Sequence, residues 1–121
     1  MFLFRQALCD IVDKTEGCVA SLIMDSEGIP VETYTREGAP FDITTVGIEF
    51  GVVLESIRRA AESLEAGKPR EVSIATDKMI AIIRMLSESY FLAVVILPDG
   101  NFGKGRYLMR AAMPVLLAEL G

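Results

Sequence analysis

Histidine is absent from all 121 residues of the chain. Its absence removes Ser-His-Asp and Cys-His catalysis, together with the commonest metal ligand. Basic residues are the minority, 12 against 17 acidic, for a net charge of −5. Phosphate binding needs clustered Lys and Arg, and none occurs, so nucleic acid is not an expected partner. Arg58-Arg59 sits among Glu55, Glu62 and Glu65 at helical spacings and reads as a solvated, paired face. The two cysteines, Cys9 and Cys18, fit no zinc or CxxC spacing. Both read as reduced, half-buried small apolar residues of a cytoplasmic protein. Long apolar runs are missing too: Arg5 and Asp10 interrupt the apolar start, so neither a signal peptide nor a membrane-inserted helix is expected. Without a repeat, a low-complexity segment or a linker, the chain reads as one domain over residues 1–121.

What the chain has is apolar side chains, at 51% before its ten glycines are counted. Adding glycine brings the share to about 59%, where 45–50% is usual. The excess favours an obligate oligomer, whose interfaces resemble a core cut in half.

The longest uninterrupted pattern is Asp42 to Ala66, read as one helix of about 37 Å. Asp42 is a plausible N-cap with Phe41 as a staple, and Gly67 followed by Pro69 is the expected stop. Helical periodicity places Ile43, Val46, Phe50, Val53, Leu54, Ile57, Ala61 and Leu64 on one stripe, expected to cover a sheet. Gly47 and Gly51, four apart, leave a bare flank where another backbone could approach. Ile48 and Val52 point nearly opposite the stripe, among Glu49, Glu55, Ser56 and Arg59. The glycines could instead let the helix sit close to its own sheet. The preferred reading gives the flank to a symmetry-related helix and the outer face to a partner.

Around this helix the rest falls into place in order. A first helix is expected from about Leu3 to Thr15, stopped by Gly17. Strands follow at Val19–Asp25 and Val31–Thr35, joined by a turn in which Gly28 supplies the positive φ. After the long helix come strands at Arg70–Thr76, Met79–Leu86 and Tyr90–Leu97, then a last helix from about Gly105 to Leu120, with a kink or a tightened turn expected at Pro114. The run YFLAVVIL is apolar on both faces and so belongs in the middle of the sheet. The polar strands VETYT and REVSIAT belong at the edges. Closing the hairpin and the meander on the central strand predicts an α+β fold: a three-layer α–β–α sandwich on a five-stranded antiparallel sheet of order 2-1-5-4-3. The edge bearing Val72, Ser73, Ile74 and Ala75 is flat and unguarded, and two copies could pair through it about a two-fold axis.

The order helix, hairpin, long helix, three-strand meander, helix, together with DSEGIPV at 25–31, Ala66-Gly67 closing the long helix, and YFLAVVIL at 90–97, resembles the Roadblock (dynein light-chain) family. The similarity is greatest to its stand-alone bacterial, MglB-like branch. The resemblance implies a profilin-like Roadblock fold and a homodimer with a continuous ten-stranded sheet. It also implies a task, binding a Ras-like small GTPase on the paired long helices and altering its nucleotide state. Carried to this sequence, the contact surface would be Ile48, Val52, Glu55 and Arg59, and the dimer interface Gly47, Gly51 and residues 72–75.

Intrinsic chemistry is not expected. The stretch Gly100 to Gly105 is similar to a phosphate loop but has Pro98 and Gly105 where the Walker spacing needs Gly and Ser or Thr. Arg58 or Arg59 could serve as an arginine finger, yet both sit where Glu55 or Glu62 would pair them. Met85, Met109 and Met113 read as core filler. No catalytic residue, metal site or cofactor is therefore assigned. The alternatives to a GTPase regulator or scaffold are a small-molecule sensor module, with Ser21, Ser73 and Tyr90 as its few inward polar groups, and a structural subunit of a larger complex.

Overall fold

The computed structural model describes residues 2–120. Its elements are α1 (Phe2–Lys14), β1 (Cys18–Asp25), β2 (Pro30–Thr35), α2 (Ile43–Ser63), β3 (Glu71–Ala75), β4 (Ile80–Met85), β5 (Tyr90–Ile96) and α3 (Phe102–Leu120). The five strands form one sheet in the order β2-β1-β5-β4-β3, and every pairing is antiparallel. β5 is buried from Phe91 to Ile96. A strand with no wet face must be covered above and below, and this one is.

Two cores result, one on each face of the sheet. Alternating residues of β5 divide between them: Leu92, Val94 and Ile96 meet Leu8, Ile11, Met109 and Leu116 of α1 and α3. Phe91, Ala93 and Val95 face the other way, toward Ile43 and Leu54 of α2. The three layers are thus α1 with α3, the sheet, and α2. Ser21, inward on β1, donates to the Leu8 carbonyl at 3.1 Å, so its hydroxyl is spent on fastening α1 rather than lining a pocket.

The two sheet edges are treated differently. At β2, Arg5 of α1 reaches the Thr33 carbonyl at 3.1 Å and stacks over the Tyr34 ring, whose hydroxyl donates to Asp13. Register slips between Ile23 and Met24 opposite β2, a bulge that further blunts this side. β3 has no bulge and pairs with β4 in regular register, while Arg106 of α3 reaches Glu71 at its start.

Several local expectations need correction. α2 ends at Ser63, earlier than Ala66, and Glu65 takes the left-handed conformation (φ 54°). Ala66 N–H bonds the Ala61 carbonyl and Glu65 N–H the Glu62 carbonyl, which closes the helix as a Schellman motif before Gly67 is reached. At the other end Asp42 holds the N-cap position, but its carboxylate accepts from the Thr45 hydroxyl at 2.7 Å instead of a backbone N–H. α3 starts at Phe102, not Gly105, because the Asn101 side chain accepts from Lys104 N–H at 3.0 Å and caps the first turn. α3 runs from Phe102 to Leu120 with Pro114 inside it. Cys18 is fully buried rather than half-buried, and both cysteines are free thiols. The loop similar to a phosphate site is packing: a Cβ on Gly100 would lie 2.5 Å from Ile96 and one on Gly105 would lie 2.7 Å from it.

Candidate partner-binding site

The face of α2 turned away from the sheet is where exposed apolar side chains gather. Ile48 is 46% exposed, Val52 67% and Val53 42%. Val53 belongs to the stripe expected to cover the sheet, as does Leu64 at 77% exposure. The stripe is corrected accordingly: the inward line is Ile43, Gly47 and Leu54, with Val46 and Phe50 partly buried against it. Val53 is 100° round the helix from Leu54, enough to move it to solvent. Ile48 and Val52, one turn apart, therefore form an apolar ridge along the outside, and Val53 is exposed about 100° round from Val52.

Charge borders that ridge. Glu55 pairs with Arg58 at 3.7 Å and with Arg59 at 3.9 Å, an (i, i+3) and an (i, i+4) contact one helical turn along. The arginines differ in freedom. Arg58 is half-buried and reaches back to the Glu88 carbonyl at 3.4 Å and the Met85 sulfur at 3.8 Å. Arg59 is exposed and, among the described residues, pairs with Glu55 alone. Such exposed pairs add ~1 kcal/mol at most to folding, so their value lies in what they present.

A groove of about 420 Å³ runs beside the ridge, between α2 and the β1–β2 turn, lined by Met24, Asp25, Gly28, Gly51, Val52 and Arg59 among others. The turn is held rigid. The Asp25 carboxylate accepts from Glu27 N–H at 2.9 Å and Ile29 N–H at 3.0 Å, and Ser26 N–H bonds the Ser89 carbonyl at 2.8 Å. DSEG marks this turn in sequence, but its place against α2 is a tertiary fact that no local pattern carries. A second groove of about 930 Å³ opens at the far end of α2, lined by Arg58, Glu62, Lys68, Met85, Leu86 and Glu88.

The glycines expected to face a partner part company. Gly47 is buried under the sheet against Leu22 and Met24, which corrects its place on a dimer flank: the bare surface is already filled by the chain's own β1. Gly51 is half-buried and looks past the Phe91 ring toward the groove. On β3, Ser73 and Ala75 are exposed while Val72 and Ile74 are half-buried. Ile48, Val52, Glu55 and Arg59 all lie together on exposed α2 surface. Among the described residues, no cluster of three His, Cys, Asp or Glu side chains could hold a metal ion, and no helix is long and apolar enough to cross a membrane.

No protein-family model and no curated protein matches the chain. Solved structures do. MglC from Myxococcus xanthus is 37% identical, over 97% of this chain and 98% of that one, with a TM-score of 0.70. The gliding protein MglB from Thermus thermophilus superposes at TM-score 0.86 with 17% identity, over 97% of this chain and 87% of that one. A Roadblock/LC7 domain from Streptomyces avermitilis gives 0.84 at 13% identity, over 95% of each chain. Element order, sheet order and the MglC likeness lead to one assignment: the chain belongs to the Roadblock/LC7 family.

Proposed function

We propose that this chain is a non-enzymatic, homodimeric regulator or scaffold that binds a Ras-like small GTPase in the cytoplasm. The docking surface is the outer face of α2, with Ile48 and Val52 as apolar anchors and Glu55 and Arg59 as the charged rim. The observation that carries the reading is the apolar ridge of Ile48 and Val52 on a helix whose opposite side is already buried. A folded chain has no intramolecular use for that ridge, and a mixed apolar and charged patch suits a protein partner. The Roadblock likeness supplies the class of partner. Dimerisation is proposed through β3, with Val72, Ser73, Ile74 and Ala75 pairing across a two-fold axis and Gly51 near the neighbouring helix. Its support is the contrast between the edges, one blunted by α1 and a bulge and the other regular.

The test is titration of the purified protein into Ras-like GTPases of its host, each loaded with GDP or a non-hydrolysable GTP analogue. Binding that depends on nucleotide state marks a regulator or effector, and single-turnover hydrolysis then separates those two. Equal binding to both states marks a scaffold, since a ligand without preference shifts no equilibrium.

A further inference from the structure

The outside of α3 is a second apolar face, independent of the α2 surface. Met109 and Leu116 are buried and Gly105 sits under Ile96, so the opposite line of the helix points to solvent. That line is Tyr107, Ala111, Pro114 and Ala118, all exposed and all uncharged. Tyr107 is 68% exposed, and Val115 and Leu117 stand exposed on the two shoulders of the line. An outermost row without a charge is unusual for a helix in a chain that is 24% charged.

The row has a second property. Its spacing of four, three and four residues is the seam pattern of packed helices, and it reads the same in both directions. A two-fold axis crossing midway between Ala111 and Pro114 therefore matches the row with itself in antiparallel sense. The bulky Tyr107 then faces the small Ala118 of the second copy, and Ala111 faces its Pro114. Knobs meet holes at every position.

Charge agrees with size. On one shoulder Lys104 comes within about 3 Å along the axis of Glu119 from the second copy, at 1.5 Å rise per residue. Val115 and its counterpart lie between the two such pairs. On the other shoulder the Arg110 stem lies at the level of the second copy's Leu117, where its methylenes can cover the leucine and its guanidinium stay wet. Glu119 is the only acidic residue of α3, and this arrangement sets it against the basic end of its neighbour.

From this self-complementarity we infer that the α3 face binds a second copy of this chain, two α3 helices packing antiparallel about a two-fold axis. The contact uses neither β3 nor α2, so it doubles whatever assembly the β3 edge sets. One helix pair is a small interface, and the association is weak and concentration-dependent.

The experiment is solution mass by sedimentation equilibrium over a wide concentration range, for the wild type, Ala111→Arg, Lys104→Glu and Lys104→Glu/Glu119→Lys. Positions 104, 111 and 119 are all exposed, and circular dichroism checks that each variant folds. The wild type should rise to twice the mass that Ala111→Arg reaches, with the arginine raising the dissociation constant at least ~10-fold. Lys104→Glu should weaken association and the charge-reversed pair should restore it. Superimposable curves for the wild type and Ala111→Arg overturn the proposal, whatever mass they share. A reversed pair no stronger than the Lys104→Glu single variant overturns the register.

Discussion

Gly47 of α2 and Leu22 of β1 are in such close contact that a Cβ on the glycine would fall 2.4 Å from the leucine Cδ2. Four residues on, a Cβ on Gly51 would meet the Phe91 ring at 3.8 Å, an ordinary contact. The two glycines therefore answer differently to one methyl group. Gly47→Ala forces a fully buried leucine to move and should cost ~1–3 kcal/mol. Gly51→Ala should gain up to ~1 kcal/mol from helix propensity. Urea melts of both variants check the contrast, and equal shifts in the same direction would contradict it.

The inward line of α2 makes a sharper prediction about size. Leu54 is 4% exposed and Leu64 is 77% exposed. Leu54→Ala should lose ~2–5 kcal/mol, by transfer and cavity formation together. Leu64→Ala should stay within ~0.5 kcal/mol. The same denaturation series measures both.

Those two leucines also show how far the sequence could be read. Strand order was legible because YFLAVVIL is apolar at every position, which forces β5 to the centre, while the alternating strands fall to the edges. The phase of α2 was not. Gly47 has no side chain to register as apolar, yet it marks the line of closest approach to the sheet. Val53 and Leu54 are equally apolar neighbours, and periodicity cannot choose between them when the true line passes through a glycine. The exposure of Ile48 and Val52 was legible because charged residues surround them on the wheel. The exposure of Val53, and the groove against Asp25 and Gly28, depend on packing between distant segments. The Asn101 cap was overlooked since its signal is one side chain among glycines.

A buried ion cluster fixes α3 to the β3 edge. Glu71 accepts from Arg84 at 3.0 Å and from Arg106 at 2.5 Å, with Glu71 and Arg84 both largely buried. Glu71→Ala leaves Arg84 without its carboxylate and should cost ~1–3 kcal/mol, less than a fully dry pair because Arg106 is half in water. The exposed Lys68–Glu88 pair is the control, and Lys68→Ala should change stability by ~0.5 kcal/mol or less.

Burial pushes the Cys18 thiol up from 9.0 to about 11, offset in part by a backbone hydrogen bond at Ala20 and by the Arg36 charge. A group raised in the folded state favours folding fully below its unfolded value and loses that contribution as pH climbs through the folded one. Stability from Cys18 should therefore be intact below pH 9 and fall between about 9 and 11, by about 3 kcal/mol in all. Cys18→Ala should flatten this part of the pH–stability profile. Native protein at pH 8 should show Cys18 unreactive to thiol reagents until it unfolds.

The proposed docking of a GTPase on the outside of α2 is open to direct test. Calorimetric titration of host Ras-like GTPases, in GDP and GTP-analogue forms, with the wild type and Val52→Asp side by side tests it most directly. The account predicts saturable binding by the wild type, and loss of it in Val52→Asp with fold and oligomeric mass unchanged. Binding by Val52→Asp as tight as the wild type, or no binding by the wild type to any GTPase in either form, would contradict it.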